Sequence, residues 1–286
     1  MFNRISLITN SATSEVAETL TAVIALLQSR NTSIELDECC GKLLPDAALP
    51  VVSGEELGKN SDLAIAIGGD GTMLKAAHLV CTHGIPLLGI NRGRLGFLAD
   101  IPADSFEEKL IEILDGHYAE DERFLLYSEV WRNNELHCVR YAFNDVVVQK
   151  WNVARLIELE TYVDNRFVHK QRSDGMIVSS PSGSTAYALS GGGPILYPSL
   201  DAMVLVPICP HSLTNRPIVI NGNSRVEIIV GTRDINHARL TCDGDLVMEL
   251  ATNDRVLVEK KNQNLRLIHP ANHDHFAILR AKLRWG

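Results

Sequence analysis

Val16, Leu20, Val23, Ile24 and Leu27 recur at intervals of one, three and four, which lines one face of a helix over residues 15–29. Residues 4–9 form a compact run of strand length before it, and two further runs follow at 62–67 and 85–90, with a helical stretch at 73–80 between them. Strands that alternate with helices predict a parallel sheet with helices packed on it. From about residue 124 the texture changes. β-type runs at 125–131, 136–149, 156–163, 167–172, 176–179, 203–206, 218–220, 226–230, 238–242 and 255–260 are divided by turn residues. Residues 157–163 alternate apolar and polar, the pattern of a half-exposed strand. Short strands at such spacing predict an all-β, sandwich-like domain. Phe276, Leu279 and Leu283 then place a closing helix over 274–285. The expected architecture is an α/β N-terminal domain (1–122) with a parallel sheet, a C-terminal β domain (123–270), and a last segment (271–286) whose helix returns to the first domain.

A length of 286 residues suits two domains, and a composition 45% hydrophobic and 22% charged supplies a sizeable core and excludes disorder over most of the chain. The net charge of −8 offers no basic stripe for a phosphate backbone, so no nucleic-acid partner is expected. Six cysteines without a CxxC pair indicate neither a zinc site nor a disulfide framework, and point to a reducing, cytoplasmic compartment. The opening apolar run is too brief for a signal peptide, and no stretch approaches the ~20 apolar residues of a membrane span. No membrane partner is expected.

The sharpest local feature is Gly68-Gly69-Asp70-Gly71-Thr72, set between a buried strand and a helix. Glycines let the backbone turn tightly and bring N–H groups against an anion, and the helix start adds its positive dipole end, so phosphate is the natural guest. The run is neither a Walker A loop nor the GxGxxG of hydride-transfer folds. Asp70 is placed to orient or deprotonate an attacking hydroxyl. Alternatively, it caps the helix that follows.

Gly68–Thr72 resembles the signature shared by NAD kinases, diacylglycerol kinases and phosphofructokinases. Further runs resemble NAD kinases in particular: the glycine-rich stretch 91–98, Asn144-Asp145, residues 171–175, and Ser182-Gly183-Ser184-Thr185-Ala186-Tyr187 within the hydroxyl- and glycine-rich block 179–194. The bacterial type of this family is the expected match, from about Ile5 to Trp285. Asp145 stands where the family has Glu, one carbon shorter, and serines replace two threonines of the block while keeping their hydroxyls.

The resemblance implies a transferase that moves the γ-phosphoryl of ATP, or alternatively of polyphosphate, to the 2′-hydroxyl of the adenosine ribose of NAD, giving NADP. It implies nucleotide binding between two domains and assembly as a homo-oligomer, a dimer or tetramer. A divalent metal ion, Mg²⁺, arrives with ATP, and no protein metal ligand is assigned. Asp70 is the catalytic residue. Asp70, Gly71, Asn144, Asp145, Arg155, Arg172, Asp174, Thr185, Ala186, Tyr187, Ala188, Leu189 and Ser190 are implied for NAD, with Arg172 choosing NAD over NADH. Gly68, Gly69, Thr72 and Lys75 are the candidates for ATP phosphates. A lipid or sphingoid-base kinase shares the Gly-Gly-Asp-Gly turn but calls for a basic membrane-binding helix, which the sequence lacks. A non-catalytic NAD sensor would bind the dinucleotide without consuming ATP. Asp243-Gly244 reads as a hairpin turn, and His211 as a packing residue.

Overall fold

The computed structural model describes residues 2–54, 56–93, 96–151, 155–231 and 238–285. In chain order its elements are β1 (Arg4–Ile8), α1 (Ser14–Ser29), β2 (Ser33–Leu36), α2 (Glu38–Leu43), β3 (Leu63–Gly68), α3 (Asp70–Val80), β4 (Leu87–Asn91), β5 (Ile101–Pro102), α4 (Phe106–Leu114) and β6 (Tyr118–Arg123). Then follow β7 (Leu126–Arg132), β8 (Glu135–Ala142), β9 (Asp145–Lys150), β10 (Ile157–Val163), β11 (Arg166–Ser173), β12 (Gly175–Ser179), α5 (Tyr187–Ser190), β13 (Ala202–Ile208), β14 (Ile218–Asn221), β15 (Val226–Val230), β16 (Ala238–Cys242), β17 (Asp245–Leu250), β18 (Arg255–Lys260), β19 (Leu265–Pro270) and α6 (His275–Leu283). The chain forms two compact units, Met1–Glu122 with Asn264–Gly286, and Arg123–Gln263.

The first unit is built on a sheet ordered β2-β1-β3-β4-β19-β6, with β5 beside β4. β1, β2, β3, β4 and β19 pair in parallel. Every residue of β3 is buried, which explains why its sequence is a continuous apolar run and not an alternation. Thr13 caps α1 by accepting the Val16 N–H, and the helix buries Leu20, Val23 and Leu27 in one core with Ile5, Leu7 and Ile65 of the sheet. Each fully buried Leu or Ile contributes about 1.5–3 kcal/mol. Because parallel strands share a direction, β3, β4 and β19 all end at one edge, where such sheets hold their ligands.

In the second unit, two six-stranded sheets, β11-β10-β15-β18-β7-β8 and β14-β13-β12-β9-β16-β17, share a core that includes Leu126, Leu159, Ile228 and Val258 from the first and Val146, Val178, Leu205 and Leu240 from the second. This is the sandwich that the short β-type runs predict.

The structure departs from the sequence reading at several places. Residues 136–149 read as one run, yet they divide into β8 and β9, because the backbone amides of Phe143, Asn144 and Asp145 leave the ladder for the Asp243 carboxylate. The β domain ends at Gln263, earlier than residue 270, because Leu267 and Ile268 of β19 pair with Leu87 and Leu88 of β4 in the first unit. Glu158 is buried, with Lys170 Nζ 2.8 Å from its carboxylate, so residues 157–163 do not simply alternate. His211 is exposed and packs into no core. The closing helix forms, but it buries Ile278 and Leu279, whereas Phe276 of the expected apolar face is exposed.

Candidate active site

In the first unit the site is built where β3 ends and α3 begins. Gly69 occupies the N-cap position and Asp70 is the first helical residue, so Asp70 does not cap the helix. Its half-buried carboxylate turns instead to the segment before β5. Oδ2 accepts the Phe97 N–H at 2.9 Å, and Oδ1 accepts those of Leu98 at 3.0 Å and Ala99 at 3.3 Å. Gly96 makes this possible, since a Cβ there would fall on the Asp70 carboxylate. Arg94 and Leu95 of the glycine-rich stretch lie outside the described residues.

Beside this turn lies an open cleft of about 470 Å³, lined by Asn10, Thr13, Gly68, Gly69, Thr72 and Arg92 among others. The N-termini of α1 and α3 both reach it, and the first amides of a helix have no partner within the helix. Thr72 is buried and donates its hydroxyl to Asn10 Oδ1. Arg92 donates through Nε to the Glu15 carbonyl at 3.0 Å. Asn10 and Thr13 escape a sequence reading focused on the glycine turn; the signal was the polar run Asn10-Ser11 after β1.

Lys75, the remaining phosphate candidate, is engaged with the scaffold. Its ammonium donates to Asp37 Oδ2 and to the Thr9 carbonyl, both at 2.6 Å, which ties α3 to the start of α2. The buried Asp37 caps α2 and needs a counter-charge, and Lys75 supplies it.

In the second unit, Asn144 and Asp145 stand at the turn into β9. The Asp243 carboxylate accepts the N–H groups of Phe143 and Asn144, both at 2.7 Å, and of Asp145 at 3.1 Å. Asp243 and Gly244 both have positive φ, 51° and 89°, in the hairpin between β16 and β17, so the turn read from the sequence is present and also carries this acceptor. Burial, reinforced by the Asp243 charge, pushes the Asp145 carboxyl up to about 7. The serine-rich block packs directly on this turn. Ser180 donates its N–H to the Asn144 carbonyl and its hydroxyl to the Phe143 carbonyl, at 2.9 and 2.6 Å. A Cβ on Gly183 would strike the Asn144 carbonyl, so glycine is required for the approach.

The structure therefore brings Asn144 and Asp145 together with the turn that carries Thr185 and Ala186. Tyr187, which opens α5, is 40% exposed and has Asp145 and Asp174 near enough to help raise its hydroxyl, after burial and Cys209. Asp174 pairs with Lys150 at 2.7 Å. Leu189 is half-buried and Ser190 exposed, but the Ala188 methyl is buried against Val206 and Ile177 and serves packing. Arg172 projects from β11 to solvent, on the face opposite the buried Gln171 and Ser173, and Arg155 is exposed just before β10. Trp151, stacked under Arg239 with the guanidinium 4.0 Å from its ring, is an aromatic surface that no motif announced.

Among the described residues, one group has ligand atoms close enough to hold a metal: Asp100, His269 and His273, within 4.8 Å of one another. Both Nδ1 atoms lie on Asp100 Oδ2, at 2.9 and 2.7 Å, which is hydrogen-bond geometry.

Residues 6–118 match the family described as "ATP-NAD kinase N-terminal domain", and residues 143–270 match "ATP-NAD kinase C-terminal domain". The chain is 45% identical over 285 residues to an NAD kinase of Teredinibacter turnerae, covering 100% of this chain and 97% of the relative. It is 46% identical over 286 residues to an NAD kinase of Pseudomonas entomophila, covering 100% and 96%. The fold is similar to that of yeast NADH kinase complexed with NADH, with a TM-score of 0.90 at 22% identity over 99% of this chain and 88% of the other. It is also similar to an NAD kinase from Archaeoglobus fulgidus in complex with ATP, with a TM-score of 0.77 at 25% identity over 98% of both.

Proposed function

Since the chain belongs to the ATP-NAD kinase family, matched over both of its parts, we propose that Asp70 orients the acceptor hydroxyl and takes its proton. The reaction is transfer of the γ-phosphoryl of ATP to the 2′-hydroxyl of the adenosine ribose of NAD, giving NADP and ADP. The carboxylate of Asp70 carries the reading. A carboxylate has about four acceptor positions, and backbone amides fill two on Oδ1 and one on Oδ2. The position left on Oδ2 takes the ribose hydroxyl. Phosphoryl transfer asks for little covalent chemistry from the protein, so holding the hydroxyl oxygen in line with the γ-phosphorus is the main contribution. Gly68, Gly69, Gly71 and Thr72 surround the helix start, whose amides and dipole favour phosphate.

The second unit supplies the dinucleotide contacts. Asn144 and Asp145 offer an amide and a carboxyl to a ribose cis-diol, Thr185 a hydroxyl, Ala186, Leu189 and Ser190 their backbone, and Tyr187 a ring face. Asp174, near enough to act on the Tyr187 hydroxyl, adds a carboxylate, and Arg155 and Arg172 supply cations, with Arg172 favouring NAD over NADH.

A divalent ion, Mg²⁺, neutralises phosphate charge when bound. It is carried by the nucleotide. ATP is the donor, with polyphosphate the alternative. Six free thiols support a cytoplasmic setting. Assembly as a dimer or tetramer is supported by β14, an edge strand that exposes Ile218 and Val219.

The test is NADP formation from NAD and ATP by the purified protein and by Asp70→Asn. The reading expects the variant to lose turnover by about 10²–10⁴-fold while it still binds NAD in a calorimeter. Undiminished turnover would refute it.

A further inference from the structure

Asp70 owes its orientation to three amides, so whatever fixes residues 97–99 also fixes the carboxylate. The next residue is Asp100. Its buried carboxylate has both His269 Nδ1 and His273 Nδ1 on Oδ2, at 2.9 and 2.7 Å. Burial alone would raise this carboxyl, but the two histidine hydrogen bonds hold it down at about 2. An ionised carboxylate only accepts, so each Nδ1 carries its proton and donates. The imidazoles are stacked, with centroids 3.9 Å apart and planes inclined by 24°, which presents both donors to one oxygen.

His269 is the penultimate residue of β19 and His273 lies just before α6, so both belong to the segment that returns to this unit from the β domain. The same segment braces the amides a second time, since Lys282 of α6 sits over the Phe97 ring, 5.4 Å from its centroid. On the opposite side the bare Gly89 of β4 admits the Ala99 backbone at close range. Asp100 Oδ1 and His269 Nε2 are buried without a hydrogen-bond partner among the described residues. An orphaned buried polar atom is costly, so its presence in this cluster calls for an explanation.

We infer that Asp100, His269 and His273 are positioning residues for phosphoryl transfer, clamping residues 97–99 so that their amides aim the Asp70 carboxylate. The inference rests on the reading of Asp70 as the reacting carboxylate. None of the three touches substrate. Their effect passes through backbone amides, so it falls on turnover and not on the affinity for either nucleotide.

The decisive variant is His273→Ala, because His273 is the less buried imidazole and its removal deletes one donor without opening the core. Steady-state kinetics should show kcat lowered by about tenfold, with KM for NAD and ATP and the melting temperature close to those of the parent. His273→Asn returns an N–H near the Nδ1 position and should recover most of the loss. Asp100→Ala should lose about 100-fold, and Asp100→Asn, which keeps an acceptor oxygen, less. Parental kcat in His273→Ala, or a loss that His273→Asn does not reverse, overturns the inference, as does a change confined to KM. If Asp70→Asn keeps full activity, the reading of Asp70 itself has failed. If Asp70→Asn is inactive while His273→Ala turns over normally, only the clamp has failed.

Discussion

Asp243 lies against Asp145 in the β domain, its carboxylate accepting the Asp145 backbone N–H at 3.1 Å, and burial together with that neighbouring charge moves the Asp145 carboxyl from 3.8 to about 7. Two consequences of opposite sign follow. The folded value exceeds the unfolded one, so the contribution to stability is complete below about pH 4 and is lost as the pH rises to about 7. Asp145→Asn should therefore raise stability at pH 8 by about 2–4 kcal/mol, measured by denaturant unfolding. A ribose diol, in contrast, donates to the ionised carboxylate, so NAD should bind the parent more tightly as pH climbs through 7, and the variant should show a flat profile. An affinity for NAD that is pH-independent in the parent would remove Asp145 from the diol contact.

Arg172 is exposed on β11, so replacing it should leave the fold intact. Arg172→Gly should shift the ratio of kcat/KM for NAD over NADH by about tenfold toward NADH, the size of one lost charge-assisted contact. The measurement is the pair of kcat/KM values under identical conditions. An unchanged ratio would place the selecting group elsewhere.

Lys75 shows how a residue close in sequence to a reactive turn can belong to the scaffold. Lys75→Met strips the ammonium from Asp37 Oδ2 and leaves that buried carboxylate with the Cys40 N–H on its other oxygen at 2.8 Å. Stability should fall by about 1–3 kcal/mol, less than for a fully buried pair because Lys75 is partly exposed. KM for ATP should stay at the parental value, and a large rise would return Lys75 to the phosphates.

What the sequence revealed was what side-chain identity and period encode. β3 is buried on both faces and reads as an unbroken apolar run, and the glycine turn with Asp70 is visible because Gly68, at φ 155°, leaves no room for a Cβ beside Thr72. The Asp243-Gly244 turn was legible too, with φ positive at both residues. The partners of Asp70 were not, because they are main-chain N–H groups of Phe97, Leu98 and Ala99, which any residue carries. The sheet to which β19 belongs was hidden as well. Leu265, Leu267 and Ile268 fell within the expected β domain, and only pairing with β4, far away in sequence, assigns them to the first unit. Asp37 holds Lys75 through a contact across 38 positions that no local spacing signals.

Gly96 offers the most direct trial of how closely Asp70 must be aimed. A Cβ there would overlap the Asp70 carboxylate, the far end of a side chain that can rotate away, so Gly96→Ala should fold. The rotation would pull the oxygens off the amides of residues 97–99 and misdirect the position left for the ribose hydroxyl. A displacement near 1 Å at a reacting group can cost about 100-fold in rate, and a loss of that order in kcat is expected. The dinucleotide contacts of the β domain are untouched by the substitution, so the NAD dissociation constant should remain near that of the parent. Full turnover in Gly96→Ala would mean that the observed pose of Asp70 is not the one that reacts.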